Sequence, residues 1–156
     1  EDLERGFILE QHSLEQCQQL CGSGRVLVVK SQGKVLGALA FYSLRDPRVE
    51  SQTSLFPKCS WKNGFNLDLE RTLFISPVVV AGEFAGRGIG SMLYCELVKR
   101  NPGVPLFAGI VERPHENIPS RRLHEKMGFD RVGYFSAQRA FGLDNYQSGL
   151  YYRAAR

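Results

Sequence analysis

The feature that most constrains this sequence is a run of alternating glycines, Gly86, Gly88 and Gly90, set between an apolar segment ending at Ala81 and an amphipathic one opening at about Gly88. Each internal glycine weakens a helix start by roughly 1 kcal/mol, and a turn needing one positive φ would not call for three. Glycine lets backbone approach a ligand closely and adopt positive φ. Where such a turn opens a helix, the first N–H groups point outward and the helix dipole favours an anion. Arg87 adds a cation. The chemistry implied by Val78 to Ser91 is phosphate or pyrophosphate binding; a tight turn without a ligand is the plain alternative.

Two phosphate motifs compete for this segment. A P-loop requires Gly-Lys-Ser/Thr five residues after its first glycine, and Gly82 is not followed by that pattern. A dinucleotide turn requires G-x-G-x-x-G, with an acidic residue further on. Glu112 closes the next apolar run, but Gly86-Arg87-Gly88-Ile89-Gly90-Ser91 has its third glycine misplaced and only one β-α-β unit remains. A nicotinamide-dependent enzyme is therefore the weakest alternative.

The remaining pattern is that of a mixed α/β domain. Residues 2–20 carry Leu3, Phe7, Leu14, Cys17 and Leu20 at loosely helical spacing, broken at Gly6. Arg25–Lys30 and Lys34–Ser43 flank a short glycine turn and predict a β-hairpin. Leu44 to Leu67 reads as a long connection holding Phe56, Trp61 and Phe65, and with Asp46 and Glu50 it is the candidate amine pocket. Glu70–Ala81 and Pro105–Glu112 read as strands, Gly88–Arg100 and Asn117–Met127 as helices, and Val132–Ala137 and Gly149–Arg153 as final strands. The whole, 1–156, is expected to be one domain with helices on the faces of its sheet.

Composition excludes several classes. Apolar residues are 43% of the chain and charged residues 23%, ordinary for a globular protein. No apolar run approaches the roughly 18 residues of a membrane span. The net charge of +4 is spread out, with only Lys99–Arg100 and Arg121–Arg122 paired, so no nucleic-acid surface is expected. Cys17, Cys21, Cys59 and Cys95 lack a second pair at zinc-like spacing, which predicts no metal and reduced thiols in the cytoplasm. No signal peptide is legible in these residues. Exposed strands and aromatics are compatible with a homodimer.

Two blocks carry a resemblance. Ala85-Gly86-Arg87-Gly88-Ile89-Gly90 is similar to the Gln/Arg-x-x-Gly-x-Gly/Ala signature of the GNAT superfamily of N-acetyltransferases, apart from Ala85, where the basic or amide residue is missing. Asn117 to Phe129, with Ser120 three residues on and a His124-Glu125-x-x-Gly128-Phe129 ending, resembles the family's second block, in the right order and separated by one strand.

The resemblance implies a central, mostly antiparallel twisted sheet flanked by helices on both faces. It implies acetyl-coenzyme A as cosubstrate and transfer of its acetyl group to an amine-bearing acceptor. Val78, Val79 and Val80 would hold the pantetheine and thioester, Ala85 to Ser91 the pyrophosphate, and Asn117 the coenzyme. Arg87, Arg121 or Arg122 would replace the contact missing at Ala85. His124 stands where the family often has tyrosine, and as imidazolium it would protonate the departing thiolate. Glu70 is the first candidate for the acceptor's base and Glu112 the second. A catalytically weak acyl-coenzyme A binding module is the second alternative.

Overall fold

A computed structural model describes residues 13–155. The first helix, α1 (Leu14–Gly22), opens with a capping box: Ser13 Oγ accepts from the Gln16 N–H, and the Gln16 side chain accepts from the Ser13 N–H. The part of the expected N-terminal helix around Leu3, Gly6 and Phe7 lies outside the described residues. Strands β1 (Val26–Ser31) and β2 (Lys34–Ser43) form the expected hairpin. Its two turn residues, Gln32 and Gly33, have φ of 48° and 76°, the positive pair that matches the twist of the strands.

A seven-stranded sheet follows, ordered β1-β2-β4-β5-β7-β6-β3. It comprises β3 (Ser60–Trp61), β4 (Leu73–Val80), β5 (Leu106–Arg113), β6 (Asp130–Ala140) and β7 (Leu143–Arg153). Every neighbouring pair is antiparallel except β4 with β5. The three further helices are α2 (Glu50–Thr53), α3 (Ile89–Arg100) and α4 (Ile118–Lys126).

The parallel pair is the unusual one. β4 and β5 are matched only at Leu73 with Leu106 and Phe74 with Phe107. Just beyond, β4 carries a bulge: Leu39 lies opposite Val78 and Phe41 opposite Ile75, so Ser76 and Pro77 share the single partner Ala40. A bulge bends its strand, and proline offers no N–H to a ladder. Past the bulge β4 stays with β2, β5 stays with β7, and the two strands part.

Alternation along the strands sorts side chains to two cores. On one face Leu39, Ile75, Leu106, Ala108 and Ile110 meet Leu93, Tyr94 and Leu97 of α3, together with Phe129 just after α4. On the other Ala40, Tyr42, Phe74, Phe107 and Leu150 meet Val49, with Leu20, Phe56, Trp61 and Phe65 packed beside them.

Two regions differ from the sequence reading. Residues 44–67 are not one irregular loop: they contain the short helical turns Pro47–Val49 and Phe56–Lys58, α2, and β3, which extends the sheet edge against Tyr134 and Gly133. The last two strands are also longer than expected. They form one hairpin closed by Phe141 and Gly142, with φ of 52° and 76°. Trp61, Phe65 and Phe56 are an aromatic cluster, with Trp61 and Phe65 stacked at 5.5 Å.

Gly37 fixes the position of α3 over the sheet. A Cβ there would come within 2.8 Å of Ile89 Cγ2 and 2.9 Å of the Val79 carbonyl oxygen. The backbone oxygen cannot rotate away, so Gly37→Ala is expected to cost about 1–3 kcal/mol, as overpacking does. Urea unfolding measures this; an unchanged midpoint would mean that β2, β4 and α3 are not locked together here.

Candidate active site

The gap between β4 and β5 opens into a cavity of about 620 Å³, within the range of about 300–1,000 Å³ usual for ligand sites. Residues 74–80 of β4 and 107–111 of β5 form its walls, Val78, Val79 and Val80 among them. Because the strands have parted, backbone groups on their facing edges lack the ladder partners that two adjacent strands normally give each other. The cavity also joins the two faces of the sheet. It is bordered by α3 and α4 on one side and by Gln52, Leu55 and Phe56 with the β6–β7 hairpin on the other.

The glycine turn borders this cavity through Ala85, Gly86, Gly88, Ile89, Gly90 and Ser91. Gly86 and Gly88 have φ of 76° and 82°, and Gly88 is the N-cap of α3. It has no side chain to satisfy the first-turn N–H groups, which are left for a ligand or solvent. Gly90 serves differently: a Cβ there would come within 2.8 Å of Leu123 Cδ2, so its smallness lets α3 and α4 approach. The Arg87 side chain is not part of the wall; its guanidinium lies over the Phe84 ring, 5.4 Å from the centroid.

Asn117 caps α4. Its Oδ1 accepts from the Ser120 N–H at 3.3 Å, and its own N–H donates to the Val111 carbonyl at 2.9 Å, pinning the helix start to β5. Arg122 and Lys126, both exposed, border the cavity from this helix. Arg121 is turned to Glu116 at 2.5 Å and Glu125 at 3.1 Å.

His124 is placed at the cavity wall but is only 4% exposed. Its Nδ1 lies 2.7 Å from the Ser120 carbonyl oxygen, and its Nε2 lies 2.6 Å from the Tyr94 hydroxyl. A carbonyl only accepts, so Nδ1 carries the proton and Nε2 accepts from Tyr94. Burial pulls the imidazole pKa down to about 4, against a smaller upward pull from the Ser120 carbonyl. The ring is therefore neutral near pH 7, with both nitrogens engaged. The resemblance implied an imidazolium acid here, and burial disfavours that charged form. Tyr94, fully buried, has its own pKa raised by the same desolvation.

The carboxylate candidates lie elsewhere. Glu70 is exposed on the turn before β4 and bonded to Arg45, with Nε–Oε1 at 2.8 Å; it does not border the cavity. Nor does Glu112, which accepts two hydrogen bonds from Arg131 at 2.7 and 2.8 Å and one from Gln147 at 2.6 Å. Burial would raise the Glu112 pKa, but these bonds and the charges of Arg131 and Arg113 hold it below the ordinary value, which makes it a weak base. Asp46 is the buried partner of Arg48 and Arg25, and the Arg48 hydrogen bond above all holds it ionised. Glu50 also lies outside the wall, and among the described residues no Asp or Glu borders the cavity. The sequence reading missed Leu55, Phe135, Phe141 and Tyr146 as wall residues, because strand pairing rather than a motif brings them there.

Comparison with known proteins adds a family and a set of folds. The model of the acetyltransferase (GNAT) family matches residues 2–129. A search of curated proteins gives no match. Among solved structures, Arabidopsis thaliana NAA60 in complex with a bisubstrate analogue is 16% identical, with a TM-score of 0.65 over 96% of this chain and 87% of that one. A GNAT-family acetyltransferase from Streptococcus agalactiae is 15% identical, with a TM-score of 0.65 over 91% and 72%. The ribosomal-protein-alanine N-acetyltransferase of Brucella melitensis is 25% identical, with a TM-score of 0.60 over 90% and 76%.

The state of His124 has a measurable consequence. Unfolding frees the imidazole to bind a proton at its ordinary pKa, about 6.5, whereas the folded site resists down to about 4. Stability from this group is full above about pH 6.5 and is lost as pH falls toward 4. Asp46 contributes its own loss only below about pH 4. Unfolding in urea at pH 7 and pH 4.5 is therefore expected to show His124→Gln losing about 2 kcal/mol less than the parent between the two. Parallel losses would contradict a buried neutral imidazole.

Proposed function

We propose that this chain, which belongs to the acetyltransferase (GNAT) family, moves the acetyl group of acetyl-coenzyme A to a primary amine by direct attack within a ternary complex. The observation that carries this reading is the parting of β4 from β5 beside the glycine turn. The parted edges offer hydrogen-bonding groups to the amides of a pantetheine arm. The start of α3, from Gly86 to Ser91, offers N–H groups and a dipole to the pyrophosphate. Asn117 orders the start of α4 beside it, and Arg122 and Lys126 supply the charge that Ala85 does not.

Acetyl-coenzyme A brings an activated thioester whose leaving thiol has a pKa of about 8.5 if it resembles cysteine. A thiolate of that basicity departs without a strong acid, so a neutral His124 is consistent with turnover. His124 instead acts as a brace, its ring tying Tyr94 of α3 to Ser120 of α4 across the coenzyme's side of the cavity. Direct attack is favoured over a covalent acetyl-enzyme. Cys59 is the one cysteine bordering the cavity among the described residues; burial raises its pKa, and its Sγ donates to the Leu55 carbonyl at 3.3 Å. It is a thiol and not a thiolate near neutral pH, hence a poor nucleophile.

A second reading is favoured by the lack of wall carboxylates among the described residues: an acyl-coenzyme A binding module that turns over slowly or not at all. Free-thiol release with amine acceptors separates the two. A nicotinamide role is disfavoured, because Glu112, its ribose ligand, is already bound by Arg131.

The coenzyme assignment is tested by two neighbouring arginines. Arg122→Ala is expected to weaken acetyl-coenzyme A binding about three- to fivefold by calorimetry, the size of an exposed ionic contact. Arg121→Ala, whose side chain is held by Glu116 and Glu125, should leave the affinity unchanged. Equal effects would contradict the contact of Arg122 with the coenzyme's phosphates. In thermal shift, acetyl-coenzyme A at 100 times its dissociation constant should stabilise by about 2.7 kcal/mol, and NAD should not.

A further inference from the structure

The cavity's two sides differ in chemistry. Its only charged wall residues among those described, Arg122 and Lys126, are both cations and both on α4. The opposite side is built from Leu55, Phe56, Phe135, Phe141, Tyr146 and Leu150. Phe135 and Tyr146 lie 6.2 Å apart, and Tyr146 and Phe141 5.2 Å, so the hairpin presents a continuous ring surface. Its polar additions are neutral ones, Gln52 and Ser148.

Resting on the transferase reading, we infer that the acceptor is a primary amine on an apolar body, without a second cationic or anionic group, and that it reacts as the neutral amine. An apolar wall penalises an ammonium ion by desolvation, and among the described residues no wall carboxylate repays that cost. Ring faces attract cations, but far less than a paired carboxylate would in the same site. Among the described residues, an anionic acceptor has no arginine or lysine on its own side to meet it. With no carboxylate on the wall among the described residues to take a proton, the fraction of acceptor already uncharged sets the rate. The neutral nitrogen forms the C–N bond, the C–S bond breaks with its electron pair leaving on sulfur, and the surplus amine proton passes to water.

The test is thiol release from acetyl-coenzyme A with phenethylamine, spermidine and lysine, alongside calorimetry of acetyl-coenzyme A. Phenethylamine should have kcat/KM roughly tenfold or more above the other two, the scale of apolar pocket discrimination. The alkaline rise of kcat/KM should move to lower pH with the less basic β,β-difluorophenethylamine. Phe141→Asp places a carboxylate on the wall at a residue 42% exposed and with φ of 52°, a conformation aspartate tolerates better than phenylalanine. This variant should shift the spermidine-to-phenethylamine ratio about threefold toward spermidine. Preference for spermidine or lysine by the parent, or a pH rise that ignores acceptor basicity, would overturn this inference and leave the transferase reading standing. Binding of acetyl-coenzyme A with no thiol release from any of the amines would overturn both.

Discussion

The structure depends on one interruption: a sheet that pairs continuously elsewhere lets go between β4 and β5 after two residue pairs. The bulge at Ser76–Pro77 keeps β4 in register with β2 while turning it from β5. An open seam inside a sheet is costly unless something occupies its backbone groups. Here the seam runs from the glycine turn on one face to an aromatic wall on the other. It is therefore at once a place where a ligand's amides can complete the sheet and an opening that joins the two sides of the molecule.

Holding such a seam open requires the helices beside it to be fixed. Gly37 lets Ile89 seat on β2, and Gly90 lets Leu123 seat on α3. The Asn117 N–H ties α4 to β5 at Val111. Between the helices, the Tyr94 hydroxyl, the His124 ring and the Ser120 carbonyl form a buried polar line with no unpaired member, the condition under which a polar core adds rigidity. His124 is drawn into the core, where the cost of charging it exceeds what one carbonyl returns.

Much of this was legible in the residues. The glycine alternation located the turn, and the strand before it and helix after it followed from apolar periodicity. Two of the three glycines do adopt positive φ; the third proved to be a packing glycine, a distinction that depends on where Leu123 lies and not on local sequence. Asn117 was singled out by the family resemblance of its block, and the structure places it at the start of α4. The seam itself was not legible, because register is a relation between strands distant in sequence. β3 was missed because two residues carry no alternation, and β7 was read short because Asp144, Asn145, Gln147 and Ser148 interrupt its apolar pattern. The carboxylates at 70 and 112 were chosen for their nearness to strand ends, whereas their ion pairs with Arg45 and Arg131 turn them from the cavity. Of the aromatic wall, Phe56 was legible as part of the candidate amine pocket, whereas Phe135, Phe141 and Tyr146 were not, because strand pairing brings them there.

The central claim, that the parted edges of β4 and β5 are completed by the coenzyme, is tested most directly by amide hydrogen exchange with and without saturating acetyl-coenzyme A. Protection should appear in residues 78–80 and 86–91, while the paired strands β6 and β7 keep the exchange they had. Binding that is measurable by calorimetry yet leaves 78–80 and 86–91 exchanging as before would contradict it.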